Sequence, residues 1–121
     1  MMRAVVRSVI HRATVSAADA SLDEGVVIDP YVMNAAAIAE YERVEVIGAA
    51  SGNRFSSFII GGRKGSGDVR VHGSGAHFVL KGEKIIIIAY AFPHEGQLID
   101  HKPKLVYVDE DNQVITLREG V

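Results

Sequence analysis

The chain has 121 residues, with 13 basic and 15 acidic side chains and a formal charge of -2, so neither a nucleic-acid nor an anionic-membrane partner is expected. That length makes one domain able to bury a core without staples. Cysteine is absent, which excludes disulfides, thiolate catalysis and cysteine-ligated metals and points to a reducing compartment.

At the N-terminus, Arg3, Arg7, His11 and Arg12 interrupt what would have to be the apolar core of a signal peptide, so a cytoplasmic protein is expected. Between residues 2 and 16, Val5, Val6, Val9, Ile10 and Val15 alternate loosely with polar side chains, which predicts one or two strands. Residues 17–25 are small and acidic. They predict a loop with at most one helical turn, leading into a short strand over Val26 to Ile28. Asp29 followed by Pro30 is a helix start: the carboxylate accepts from open backbone amides, and proline at the first helical position forfeits no bond. The helix is expected to run through Val32, Ala35, Ala36 and Ile38.

Arg43 to Ala49 alternates again, residues 50–53 form a turn, and Phe55 to Ile60 returns as the second arm of a hairpin. Residues 61–67 are a glycine-rich turn, Asp68 to Val71 a short strand, and residues 72–77 a loop of small residues. The apolar run Ile85 to Phe92 is too short to span a bilayer and rich in β-branched residues, so it predicts a buried strand ended by Pro93. After an irregular stretch from His94 to Lys102, Leu105 to Val108 and Val114 to Leu117 make a last hairpin about residues 109–112. Many short strands, one or two short helices and frequent glycine turns favour a closed, mainly β barrel.

Neither the RKGSG nor the GSGAH glycine run fits a Walker or dinucleotide pattern, so both are read as turns. None of the five histidines is spaced as a close ligand pair, so no metal is expected.

The pair His11-Arg12, followed by IDPYVMNAAAI, VEVIGAASGNRFSSFII, RKGSGDVRVHGSGAH, KGEKIIIIAYA and KPKLVYVDEDNQVI, resembles the bacterial aspartate 1-decarboxylase family. These are the pyruvoyl enzymes that make β-alanine for pantothenate. The match covers nearly the whole chain in order and spacing. It implies a double-psi β-barrel over residues 1–121, assembled as a homotetramer with active sites between neighbouring subunits. It also implies a cofactor made from the chain itself: a glycine-serine bond just before an apolar strand and an Ile-Asp pair cleaves, and the serine becomes a pyruvoyl electron sink.

The departures from the family cluster on that chemistry. Aligning Ile28-Asp29 with the family's pair puts Gly25 where the serine should be and Glu24 where the glycine should be, and a one-residue shift puts Val26 there instead. Neither Gly25 nor Val26 has a hydroxyl for the acyl shift, so no pyruvoyl is expected, and cleavage displaced to Ser21 would need the whole scissile geometry rebuilt upstream. Val9, Leu22, Phe58 and His72 stand where the family has a basic residue, two tyrosines and an asparagine, while Ser57 keeps the hydroxyl of a threonine.

Arg54, which the resemblance makes a carboxylate clamp, is in place, as are His11 and Arg12. Ser57 and the Gly73-Ser74-Gly75 turn are the other substrate-binding candidates. The reading favoured is a cofactor-free enzyme doing acid-base chemistry on a carboxylate or carbonyl metabolite, with Arg54 anchoring and His72 or His11 moving protons. A non-catalytic carboxylate binder, or a partner subunit of an authentic decarboxylase, is the alternative; an active aspartate 1-decarboxylase is disfavoured. Each assignment has a plainer counterpart: Arg54 could pair with a neighbouring acid, and either histidine could be only hydrogen-bonded.

Overall fold

A computed structural model describes residues 2–121. Among them, nine strands form one sheet in the order β2-β6-β3-β5-β4-β7-β1-β8-β9. They are β1 (Val5–Thr14), β2 (Ala17–Asp19), β3 (Gly25–Ile28), β4 (Arg43–Gly48), β5 (Arg54–Gly61), β6 (Val69–His72), β7 (Lys84–Ala91), β8 (Lys104–Val108) and β9 (Val114–Glu119). Parallel pairs β3–β5 and β1–β8 are set among antiparallel ones. The end of β1 returns to β6 through Ser16, whose N–H donates to the Val69 carbonyl and whose hydroxyl accepts from the Val69 N–H. The fold is the mainly β, double-psi barrel that the turn-rich pattern and the resemblance led one to expect.

Alternation puts the core inside. On β7 the side chains of Ile85, Ile87 and Ala89 are buried, while Ile86 and Ile88 are half-covered on the other face. Ile85 and Ile87 join Ile10, Val26, Ile28, Val44, Val46, Ile59, Val69 and Val71 in one cluster. The run expected as a buried strand buries one face, with Tyr90 and Phe92 exposed at its end.

Helix α1 (Pro30–Ala36) opens as expected: the buried Asp29 accepts from the Tyr31 N–H, and also from the Gly65 and Gly67 N–H groups across the chain. It stops before Ile38 because Ala37 turns left-handed at φ 55°. Three further expectations need correction. Residues 17–19 are a strand rather than loop, recruited by parallel pairing with β6. His72 closes β6, and residues 73–77 form a 3-10 turn. The stretch after Pro93 contains a one-turn helix, α2 (Glu95–Leu98). No helix among the described residues is long and apolar enough to cross a membrane.

Candidate functional site

Strands β2, β6, β3 and β5 lie side by side and carry Asp19, His72, Gly25 and Phe58 at neighbouring positions. Register pairs Asp19 with His72 and His72 with Gly25; one step before the Val26–Ile59 pair, Phe58 stands beside Gly25. A Cβ on Gly25 would lie 2.5 Å from Ile60 Cδ1 and 3.5 Å from Phe58 Cε2, and φ there is +146°, a conformation that glycine alone adopts readily.

Glu24 turns back over the Gly73–Ser74 corner. Its Oε1 accepts from the Ser74 N–H at 2.8 Å, and its Oε2 from the Ser74 hydroxyl at 2.7 Å. Those bonds, the backbone one first, hold its carboxyl below the ordinary glutamate range. The approach requires Gly73, because a Cβ there would sit 2.4 Å from Glu24 Oε1 and 2.8 Å from Glu24 Cα. Gly75 is equally constrained, since a Cβ on it would sit 2.5 Å from Phe55 Cε2.

A cleft of about 530 Å³ opens beside this corner, lined by Glu24, Tyr41, Arg43, Ser56, Ser57 and Phe58. Ser57 is 8% exposed, and its hydroxyl finds no hydrogen-bond partner. The Nε2 of His72, on the other side of Gly25, is likewise buried and unpartnered. Buried polar atoms are normally satisfied, so these two, like Ser8 Oγ in β1, have hydrogen-bonding capacity left over. At the end of β2, the Asp19 carboxyl is held low by the Ser21 hydroxyl, then the Ser21 N–H, with a smaller contribution from His72; Ser21 is thereby committed to Asp19.

The predicted site residues divide. Glu24 and Ser57 line the cleft; Gly25 and His72 are register partners next to it, and Gly73, Ser74 and Gly75 belong to the turn on which Glu24 docks. Arg54 lies along the β5 rim, where its Nη1 donates to Glu45 Oε1 at 2.5 Å and Tyr90 donates to the other Glu45 oxygen at 3.2 Å. Burial raises the Tyr90 phenol pKa first, and Glu45 adds to that. The plainer reading of Arg54, a pair with a neighbouring acid, is thus realised within the chain, although its side chain stays 61% exposed. His11 is three strands from β5, its ring stacked on Tyr107 at 4.8 Å, its pKa lowered by burial and then by Arg118. Within one chain it does not join the cleft.

Arg43, Tyr41 and Ser56 were not anticipated. The β4 alternation places Arg43 on the outer face with Glu45, which was the available signal; nothing local marks Tyr41.

A double-psi barrel with a cleft between Glu24, just before β3, and the middle of β5 defines the class. The chain matches the family model for aspartate decarboxylase over residues 1–115. It is 40% identical over 115 residues to the aspartate 1-decarboxylase of Caldicellulosiruptor bescii, covering 95% of this chain and 90% of that one. The enzyme of the same name from Dehalococcoides mccartyi strain 195 is 36% identical over 117 residues, covering 97% and 94%. That from Ralstonia pickettii is 36% identical over 119 residues, covering 98% and 99%. The chain belongs to the aspartate decarboxylase family.

Its relatives lead one to expect a pyruvoyl group. The residues at the head of β3 do not fit a serine-derived one: position 25 has no side chain, a Cβ would collide with Ile60, and the adjoining carboxylate is docked on Ser74.

Proposed function

We propose that this family member keeps its backbone intact between Glu24 and Val26, forms no pyruvoyl group, and works without a cofactor. The cleft beside Gly25 binds a small carboxylate- or carbonyl-bearing metabolite, on which His72 moves a proton. The observation that carries this reading is the pair of unsatisfied buried groups, His72 Nε2 and Ser57 Oγ, on either side of a residue that cannot become an electrophile. An imidazole changes its proton near neutral pH, and Ser57 can donate to an oxygen on which charge develops. Arg43, which lines the cleft, supplies positive potential for a carboxylate; Arg54, at the start of β5, shares its charge with Glu45.

Intact-mass measurement tests the first half: the purified protein is expected as one uncleaved chain, and two fragments with a blocked end would overturn it. For the second half, His72→Gln should abolish proton exchange on a bound carboxylate while leaving its affinity within a few-fold. Unchanged exchange would remove His72 from the chemistry.

Binding without turnover is the second reading, either as a carboxylate sensor or as a partner subunit. It is favoured by His11 lying outside the cleft and by Arg54 already being paired. The same exchange measurement separates the two. Assembly as a homotetramer with the cleft between subunits is part of the proposal. Phe92, Ile99, Ile115 and Leu117 are all more than half exposed, and β9 is uncovered on both faces. Light scattering is expected to give a tetramer mass.

A further inference from the structure

We propose that Asp19 is a positioning residue for His72, a fixed counter-charge beside which the imidazolium forms. This rests on the reading of His72 as the group that moves a proton, and adds the partner that faces the charge once the proton is on the ring.

Strand register sets the two side chains together. β2 and β6 run parallel, Asp19 is the partner of His72, and each is the last residue of its strand. Neighbouring strands lie about 4.8 Å apart, and partnered side chains stand on the same face of the sheet. On its other side His72 is partnered by Gly25, which has no side chain. Along this row the imidazole has a carboxylate on one flank and a glycine on the other.

Asp19 is held in place at the strand end. Ser21 donates to its Oδ1 twice, through the N–H at 2.9 Å and the hydroxyl at 2.6 Å, which leaves Oδ2 free of hydrogen bonds among the described residues. The buried Nε2 of His72 likewise has no partner. His72 already acts on Asp19: after the two Ser21 bonds, and against desolvation, its charge is a further cause that keeps the carboxyl below the ordinary aspartate range. A cation formed on a half-buried ring is stabilised by a carboxylate that is already in place and need not reorganise. The other charges nearby are accounted for. Glu24 is docked on Ser74, and Arg70, two residues before His72 on β6, is partnered by Ala17 and Val27, which carry no charge.

Charge coupling is mutual, so it can be read at Asp19. The test follows the carboxyl carbon shifts of the full chain by NMR through an acid titration. His72→Gln removes the cation and should raise the Asp19 midpoint. His72→Lys restores a cation and should return the midpoint toward the parent value, which a packing role for His72 would not do. The difference between parent and His72→Gln should shrink in about 1 M salt, where charges are screened over about 3 Å. Melting curves check each variant, and His72→Asn, the residue type the family has at this position, takes the place of the glutamine variant if that one does not fold. An Asp19 midpoint that ignores His72, or that lysine fails to restore, overturns the proposal whatever His72 does in the exchange measurement. Unchanged exchange in His72→Gln together with a moved Asp19 midpoint overturns the proton-transfer reading and leaves the charge pair standing.

Discussion

Ser74 holds the Glu24 carboxylate with two donors at once, its backbone N–H at 2.8 Å and its hydroxyl at 2.7 Å. These bonds lower the Glu24 pKa, the backbone donor contributing most, the hydroxyl next, against a smaller opposing effect of burial. A carboxyl whose folded pKa lies below its unfolded one stabilises the fold above the unfolded pKa and loses that contribution as pH falls through the folded pKa. The turn at residues 73–74 should therefore loosen only in acid, below the usual glutamate range. Ser74→Ala removes one donor and leaves the other, so the Glu24 midpoint should rise part of the way back. Carboxyl carbon shifts followed by NMR through a pH titration measure this directly; an unmoved midpoint would show that the hydroxyl bond is not formed in solution.

Gly25→Ser puts back the residue type that the family uses for self-cleavage. We expect no cleavage and a loss of about 1–3 kcal/mol, because a side chain at φ +146° is strained and its Cβ must displace the end of Ile60. Gly25→Ala should lose a similar amount, since the cost belongs to the Cβ rather than to the hydroxyl. Urea melts and intact mass on both variants check this. Fragmentation of the serine variant would mean that Glu24 and Ile60 do not obstruct the chemistry.

Much of this architecture can be read from local chemistry. The alternation of β4 and β7 fixes which side chains face the core, and Asp29-Pro30 fixes the start of α1. What is not legible depends on partners distant in sequence. β2 is three residues with no apolar alternation, and it is a strand only because β6 lies beside it. The α2 turn has too few residues for any period to appear. At the site, the resemblance located position 25 and its missing hydroxyl. The Glu24–Ser74 contact bridges residues 50 apart in sequence and could not be inferred from either segment alone. Arg54 and Glu45 meet because the hairpin register pairs Glu45 with Ser56, two residues from Arg54 on the same face. The resemblance grouped His11 with the site, whereas the strand order of a single chain sets it against Tyr107 and Arg118.

The His11 environment makes a prediction of its own. Burial lowers its pKa first and the Arg118 guanidinium second. Arg118 also donates to the Tyr107 hydroxyl at 2.9 Å and lies 5.2 Å from the Tyr107 ring centre. A histidine with a depressed folded pKa favours the neutral form in the fold, so its protonation weakens the fold as pH drops below the ordinary value of 6.5. Arg118→Gln should raise the His11 pKa toward that value without reaching it, because burial remains. The imidazole proton shifts give the midpoint. No change on losing the guanidinium would place Arg118 farther from His11 in solution.

Asn112 ties the last hairpin to the barrel. Only 3% exposed, it donates through Nδ2 to the Thr14 carbonyl at 2.9 Å and the Gly67 carbonyl at 2.8 Å, and accepts the Thr14 N–H at Oδ1 at 2.7 Å. Its backbone is left-handed at φ 59°, which asparagine tolerates better than most side chains. Asn112→Ala leaves an N–H and two carbonyls without that partner and should cost about 2–4 kcal/mol, given about 1–3 kcal/mol for each buried group left unsatisfied, with some recovered by entering water. Asn112→Asp is the sharper test. It keeps an acceptor for Thr14 but turns a carboxylate toward two carbonyl oxygens, so at pH 7 it should be at least as damaging as alanine. Protonation restores one donor, so the aspartate variant should regain stability relative to wild type as pH is lowered through the carboxyl range, whereas the alanine variant should not. Urea midpoints at pH 7 and pH 4 distinguish the two, and a parallel response of both variants would rule out this donor-acceptor arrangement.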